Sequence, residues 1–286
     1  MTVAMRRWLA MLLGPWLLAG AATATDIAPP RRIVSLNLCT DQLLLDLVPR
    51  DRIAGLSWVA ADPNVSPVAD QLSGIRLLRG VAEEILALDP DLIIAGTFTT
   101  PATVDLLRRL GRRVELVPLA QDFDGIRSAM RQVARAAGAV ARGEQLIAAF
   151  DRRLAAVSTP DRRQVSALAY QANSLVSGPG SLLDAAFAAA GIANVAGAAR
   201  LGRGGHLPLE ALVAAPPDLV VLAQAPETYR TAVADNLRHP ALGRLLAARP
   251  HVVLPMPLWL CGTPRIADAV ALLAQARISA AKEPMK

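Results

Sequence analysis

Two stretches of this chain carry the same order of polar and apolar positions. Residues 83–95 read Glu-Glu-Ile-Leu-Ala-Leu-Asp-Pro-Asp-Leu-Ile-Ile-Ala, and residues 210–222 read Glu-Ala-Leu-Val-Ala-Ala-Pro-Pro-Asp-Leu-Val-Val-Leu. In each, a glutamate opens a short helix and a proline, which lacks the N–H to continue it, stops it. An aliphatic, largely β-branched run then reads as a buried strand. The copies lie 210 − 83 = 127 residues apart, far beyond the roughly 20–50-residue period of a solenoid. The pattern predicts two similar lobes, with a ligand between them.

The remaining pattern fills in each lobe. Residues 32–36 read as a strand, 37–41 as its exit loop, 42–48 as an apolar helix and 53–57 as a second strand. Trp58 opens a loop rich in proline and aspartate that runs through residue 67. After the first copy, a helix over 101–110 ends at Gly111 and a strand covers 114–117. Strand and helix in alternation predict a parallel sheet covered on both faces.

Residues 122–157 show no strand pattern, only a stripe of Ile126, Met130 and Val133 and another of Leu146, Ile147, Phe150, Leu154 and Val157, parted near Gly138. Both stripes have helical spacing, and the second predicts a long helix between the lobes that ends at Ser158-Thr159-Pro160. The second lobe is expected to hold strands over 165–170, 219–222 and 252–254, and helices over 182–190 and 264–278 with a helical region at 231–246. Its loops include 177–181, a glycine-rich stretch over 200–208 carrying Arg203 and His206, and one through Pro257, Trp259 and Cys261. The expected fold is therefore α/β: two similar lobes with central parallel sheets, joined by one long helix and separated by a ligand cleft. The expected units are 25–121, a helical linker over 122–160, and 161–286, behind a leader over 1–24.

That leader has Arg6 and Arg7, an apolar run over 8–19, and Ala22-Thr23-Ala24 as a small-x-small cleavage site. The run is well short of the ~20 residues that span a bilayer, so a cleaved signal peptide and a soluble periplasmic protein are expected. At 286 residues and 53% hydrophobic, the chain can fill two ordinary cores. Its net charge of +6 falls to (30 − 2) − 24 = +4 without the two leader arginines. No basic run is interleaved with aromatics, so no nucleic-acid partner is expected.

Enzyme signatures are missing. No phosphate-binding glycine pattern follows the first strand, and neither His-Glu-x-x-His nor a nucleophile elbow occurs. His206 and Glu210 would be the acid–base or metal pair of a rival chelatase-like enzyme, but Pro208 separates them. No catalytic residue, metal site or resident cofactor is expected. Cys39 and Cys261 sit in a chain expected to reach an oxidising compartment, and their spacing excludes a Cys-x-x-Cys motif.

Several short motifs occur together in one order: Arg-Ile-Val-Ser-Leu from Arg32, Arg-Ile-Ala-Gly-Leu-Ser from Arg52, both repeat copies, Gly-Pro-Gly-Ser-Leu-Leu-Asp and Ala-Gly-Ile-Ala-Asn within 178–194, and Thr-Pro-Arg-Ile from Thr263. With these, the chain from about 32 to 277 resembles the periplasmic binding proteins of ABC importers for cobalamin, ferric siderophores and haem. The resemblance implies capture of a bulky metal complex between two lobes joined by a rigid helix, and delivery to an inner-membrane permease. It also implies that Glu83 and Glu210, one on each lobe, dock onto permease arginines. The plainer role for either is to complement a helix dipole. A monomer is expected. Where relatives carry Pro-Ser-x-Thr-Glu after the first strand, this chain departs with Leu38-Cys39-Thr40-Asp41-Gln42.

Ligands of open parallel sheets sit beyond the carboxyl ends of the strands. Cys39, Trp58, Arg203, His206, Trp259, Cys261 and Arg265 all fall in or beside such segments. Trp58 and Trp259 could hold a planar macrocycle on their indole faces, or cap a sheet edge. Arg203 and His206 could meet propionates, amides or phosphate, with His206 also able to ligate a metal, or they could form a solvated loop. Arg265, near a helix start, reads as structural. Cys39 and Cys261 could bond across the cleft, which an oxidising compartment favours, or face a metal centre as thiols. Cobalamin or a related cobalt corrinoid is the expected ligand, with a ferric siderophore or haem as the alternative. The choice rests on the overall resemblance and the tryptophan-bearing loops, and having only two tyrosines, Tyr170 and Tyr229, for an anionic ferric complex tips it slightly further.

Overall fold

The computed structural model describes residues 28–157, 164–199, 201–224 and 232–282. The leader over 1–24, the boundary at Ser158-Thr159-Pro160 and Thr231 lie outside the described residues.

The first sheet contains β1 (Ile33–Ser35), β2 (Ile53–Ser57), β3 (Leu77–Leu78), β4 (Leu92–Gly96) and β5 (Val114–Val117) in the order β3-β2-β1-β4-β5. The second contains β6 (Val165–Ala169), β8 (Ile192–Asn194), β10 (Leu219–Leu222) and β11 (His251–Val253) in the order β11-β10-β6-β8. Every pairing in both sheets is parallel. Set side by side, β2-β1-β4-β5 and β8-β6-β10-β11 have the same topology. The strands of the two repeat copies, β4 and β10, each pair with the first strand of their own sheet, in registers that include Ile33↔Leu92 and Ala167↔Leu219.

Helices α1 (Leu38–Leu47), α4 (Phe123–Ala136), α5 (Val140–Ala155), α6 (Leu182–Ala189) and α10 (Ile266–Lys282) share one apolar cluster that reaches one face of each sheet. The opposite faces are covered separately. Val34 and Ile93 of the first sheet pack with α2 (Ala82–Leu86) and α3 (Pro101–Arg109), while Val220 and Leu222 of the second pack with α7 (Leu209–Ala214), α8 (Asp235–Arg238) and α9 (Pro240–Ala248). Adjacent residues such as Ile93 and Ile94 thus enter different cores, as the two-residue period of a strand requires. Helices α4 and α5 pack on each other, and α5 also touches α10.

Several expectations are corrected. Residues 37–41 are not an exit loop, because Asn37 caps α1 at once by accepting from the Cys39 N–H at 2.9 Å. His206 belongs not to an open loop but to a two-stranded antiparallel ribbon of β7 (Leu175–Ser177) and β9 (Gly204–His206), and Arg203 lies in the turn just before β9. Glycine is needed there, since a Cβ at Gly178 would lie 2.1 Å from the Gly202 carbonyl oxygen. The helical region at 231–246 resolves, within the described residues, into α8 and α9, which part at Pro240. The last helix begins at Ile266, two residues later than its proline suggests.

Candidate ligand-binding site

The chain leaves β1 towards β2 and later returns on its other side as β4. The carboxyl ends of β1 and β4 are therefore a topological switch point, where the loops diverge and leave a crevice. A cavity of about 230 Å³ lies there. Cys39, Thr40 and Leu43 line it from α1, with the cap residue Asn37, and Gly96, Thr97 and Phe98 from the end of β4. Val117 at the end of β5 and residues 118–120 beyond it, with Ala129 of α4, form a further wall. The last wall comes from the other half of the chain, as Leu260, Cys261 and Gly262 after β11. Gly262 packs so closely on the Ala120 methyl that a Cβ would lie 2.4 Å from it, so this wall closes only because residue 262 has no side chain.

One face of α1 joins the halves. Cys39 and Cys261 are disulfide-bonded, with Cα atoms 5.1 Å apart across 222 residues of sequence. The alternative of two thiols facing a metal therefore loses its thiols. One turn on, the Thr263 hydroxyl donates to Gln42 Oε1 at 3.1 Å inside the protein. One further turn on, Arg265 pairs with Asp46 at 3.4 Å. Burial raises the Asp46 carboxyl above its ordinary range, against the pull of Arg265 and Arg142. Positions 39, 42 and 46 share one helix face, and they meet alternate residues 261, 263 and 265 in a continuous seam of covalent bond, hydrogen bond and ion pair.

On α1, next to the seam, lies Asp41, fully buried. Its carboxylate accepts from the Ser57 hydroxyl, and from the Ser57 N–H at 3.4 Å. Burial pushes its pKa up to about 7, while hydrogen bonds from Ser35 and Ser57 pull it down. The same turn holds Cys39 and Thr40 on the cavity wall.

Of the side chains singled out in the sequence, only Cys39 and Cys261 line the cavity. Trp58 stands 57% exposed at the end of β2, on the same sheet edge. Trp259 is half-buried against the shared core, and its indole N–H donates to the Leu254 carbonyl at 3.1 Å, which fixes the loop bearing Cys261. Arg265 is held in the seam. Arg203 is exposed beside Gly180. His206 donates from Nδ1 to the Asn173 carbonyl at 2.7 Å, since a carbonyl can only accept. Glu83 and Glu210 are exposed in the first turns of α2 and α7, at equivalent places in the two halves.

The sequence reading missed Phe98, Leu119 and Leu260, which line the cavity and are 80%, 38% and 40% exposed. Each follows a predicted strand, so the carboxyl-end rule could have found them.

A family profile described as periplasmic binding protein matches residues 33–257. A cobalamin-binding protein of Halobacterium salinarum is 26% identical over 262 residues, which cover 86% of this chain and 69% of that protein. Among solved structures, the apo periplasmic haem-binding protein RhuT of Roseiflexus sp. RS-1 superposes with a TM-score of 0.72 at 24% identity, covering 88% of this chain and 99% of that one. The periplasmic vitamin B12 binding protein BtuF of Vibrio cholerae gives a TM-score of 0.68 at 19% identity, covering 89% and 99%. The matched segment runs from β1 to just short of the wall formed by Leu260, Cys261 and Gly262, so the repeat, both sheets and the rest of the crevice fall within it, and the chain belongs to the periplasmic binding protein family.

Proposed function

We propose that the protein is the periplasmic solute-binding component of an ABC importer and that it captures cobalamin or a related corrinoid for delivery to an inner-membrane permease. Members of its family are substrate-binding transport proteins rather than enzymes. The observation that carries the reading is the cavity at the switch point of the first sheet, walled by both halves of the chain and rimmed by exposed apolar side chains. At about 230 Å³ it is too small for a whole corrinoid. The macrocycle would lie over the rim, where Phe98 offers a flat face, with Trp58 exposed on the same sheet edge. The relative named for cobalamin, aligned over most of both chains, favours a corrinoid. Among the described residues no helix is long and apolar enough to cross a membrane.

Tryptophan fluorescence of the purified protein, titrated with cyanocobalamin, haemin and a ferric hydroxamate, tests the ligand. Saturable quenching near one equivalent of cyanocobalamin, matched by calorimetry, is the expected result. A flat calorimetric trace with the corrinoid alongside saturation by haemin would reassign the ligand.

Glu83 and Glu210 are proposed to be the permease contacts, being exposed, acidic and equivalent in the two halves. The double variant Glu83→Lys/Glu210→Lys is expected to cut uptake in cells at least tenfold while leaving solution binding unchanged, because like charges across an interface repel. Normal uptake by the double variant would remove the assignment.

A further inference from the structure

The side chains that wall the cavity can offer almost no hydrogen bonds. Asn37 Oδ1 accepts from the Cys39 N–H, and the Asn37 amide group packs against Gly96, where a Cβ would lie 3.0 Å from Nδ2. The Thr40 hydroxyl donates to the Asn37 carbonyl and lies 2.8 Å from the Ser35 hydroxyl. The rest of the lining is aliphatic, aromatic, glycine, proline or disulfide sulfur, apart from Thr97 at the exposed rim. No residue of the lining is acidic, basic, histidine or tyrosine. A charged or strongly polar group entering here would lose water that no wall side chain replaces.

Size narrows the occupant further. An apolar cavity of about 150 Å³ holds a benzene ring, so one of about 230 Å³ has room for one to two fused rings. The walls resist adjustment, because one of them is tied to α1 through Cys39–Cys261 and backed by the contact of Gly262 with Ala120. In such a pocket one methylene too many or too few changes affinity about 10- to 200-fold.

We propose that this cavity is a subsite for an uncharged, apolar group of one to two fused rings carried by the ligand, with the ligand's charged and metal-bearing parts kept outside the rim of Phe98, Leu119 and Leu260. The proposal rests on the reading that the solute binds in this cleft. It commits the ligand to carrying such a group and keeps acid groups, such as the propionates of a haem, out of the cavity.

The test uses two fluorescent probes with one skeleton, N-phenyl-1-naphthylamine and its 8-sulfonate, on the purified oxidised protein. The neutral probe is expected to saturate at one equivalent and to bind at least tenfold tighter than the sulfonate. Ala129→Leu, which fills the cavity from α4, is expected to weaken the neutral probe at least tenfold. Thr97→Asp, an exposed change that leaves the core alone, is expected to weaken it several-fold should Ala129→Leu not fold. Equal binding of the two probes, or neutral-probe binding undiminished in the folded variants, overturns the proposal. Cyanocobalamin separates this result from the functional reading. If the neutral probe behaves as expected and cyanocobalamin neither binds nor competes, the corrinoid reading falls and the subsite stands. If cyanocobalamin binds but ignores both the probe and the variants, the subsite falls and the corrinoid reading stands.

Discussion

Cys39→Ser is expected to lower the stability of the protein by about 3–5 kcal/mol, a loss of roughly 10 °C or more in melting temperature for a chain of this size. Joining residues 222 apart removes much loop-closure entropy from the unfolded chain, and the chain-entropy relation puts the effect near 5 kcal/mol. What remains of the seam cannot compensate. The Gln42–Thr263 hydrogen bond contributes about 1 kcal/mol net, and the partly exposed Asp46–Arg265 pair less than that. Cys261→Ser and the double variant should match Cys39→Ser within error, because all three lose the same cross-link. Reductant should destabilise the wild type to the same extent and leave the variants unchanged. Chemical denaturation with and without reductant measures this, alongside a thiol count on the native protein. Two titratable thiols per native chain, with no response to reductant, would mean that the halves are held by packing alone.

Much of the fold was legible because it is written in periodicity. The two helix-proline-strand copies announced β4 and β10, which proved to occupy equivalent places in sheets of the same topology. The stripes of Ile126, Met130 and Val133, and of Ile147 and Phe150, announced α4 and α5. Elements too short to show a period were not visible. Leu77–Leu78 forms an edge strand of two residues, and β7 and β9 have three each, held by glycines whose role is close backbone approach. Helix α1 was cut short at its start because the capping role of Asn37 lies in a side-chain geometry that resembles any polar loop residue in sequence.

The site divided along a similar line. Position after a strand was readable, and it brought Cys39 and Cys261 to the cavity and Trp58 to its sheet edge. Direction was not readable. Trp259 follows a strand as well, but its N–H is held by Leu254, and Arg265 turns into the seam towards Asp46. Phe98 was passed over because a single phenylalanine among threonines carries no pattern, although it is the most exposed aromatic side chain on the cavity rim.

Asp41 should make the protein lose stability as pH rises from about 4 to 8, by about 4 kcal/mol between the extremes. Its pKa is near 7 in the fold and about 3.9 in the unfolded chain. Between those values the native state holds a proton that the unfolded state has released. The contribution is therefore fully present below about pH 4 and is lost as pH rises through the folded pKa. Two effects oppose the shift. Asp41 sits in the first turn of α1, where the helix dipole favours an anion by about 0.3–1 kcal/mol, and Ser35 and Ser57 hydrogen-bond its carboxylate. Complete burial with no basic partner contributing to its shift outweighs both. Asp41→Asn removes the ionisation and keeps an oxygen to accept from Ser57. The difference in unfolding free energy between wild type and Asp41→Asn, followed from pH 4 to 8, isolates this group, since every other carboxyl is common to both proteins. The variant should gain on the wild type by about 1.4 kcal/mol per pH unit once the unfolded carboxyl has ionised, levelling off above pH 7. A difference that stays flat over that range would show that Asp41 is already an anion in the fold. The turn holding Cys39 and Thr40 on the cavity wall would then be anchored by a buried negative charge rather than by a neutral acid.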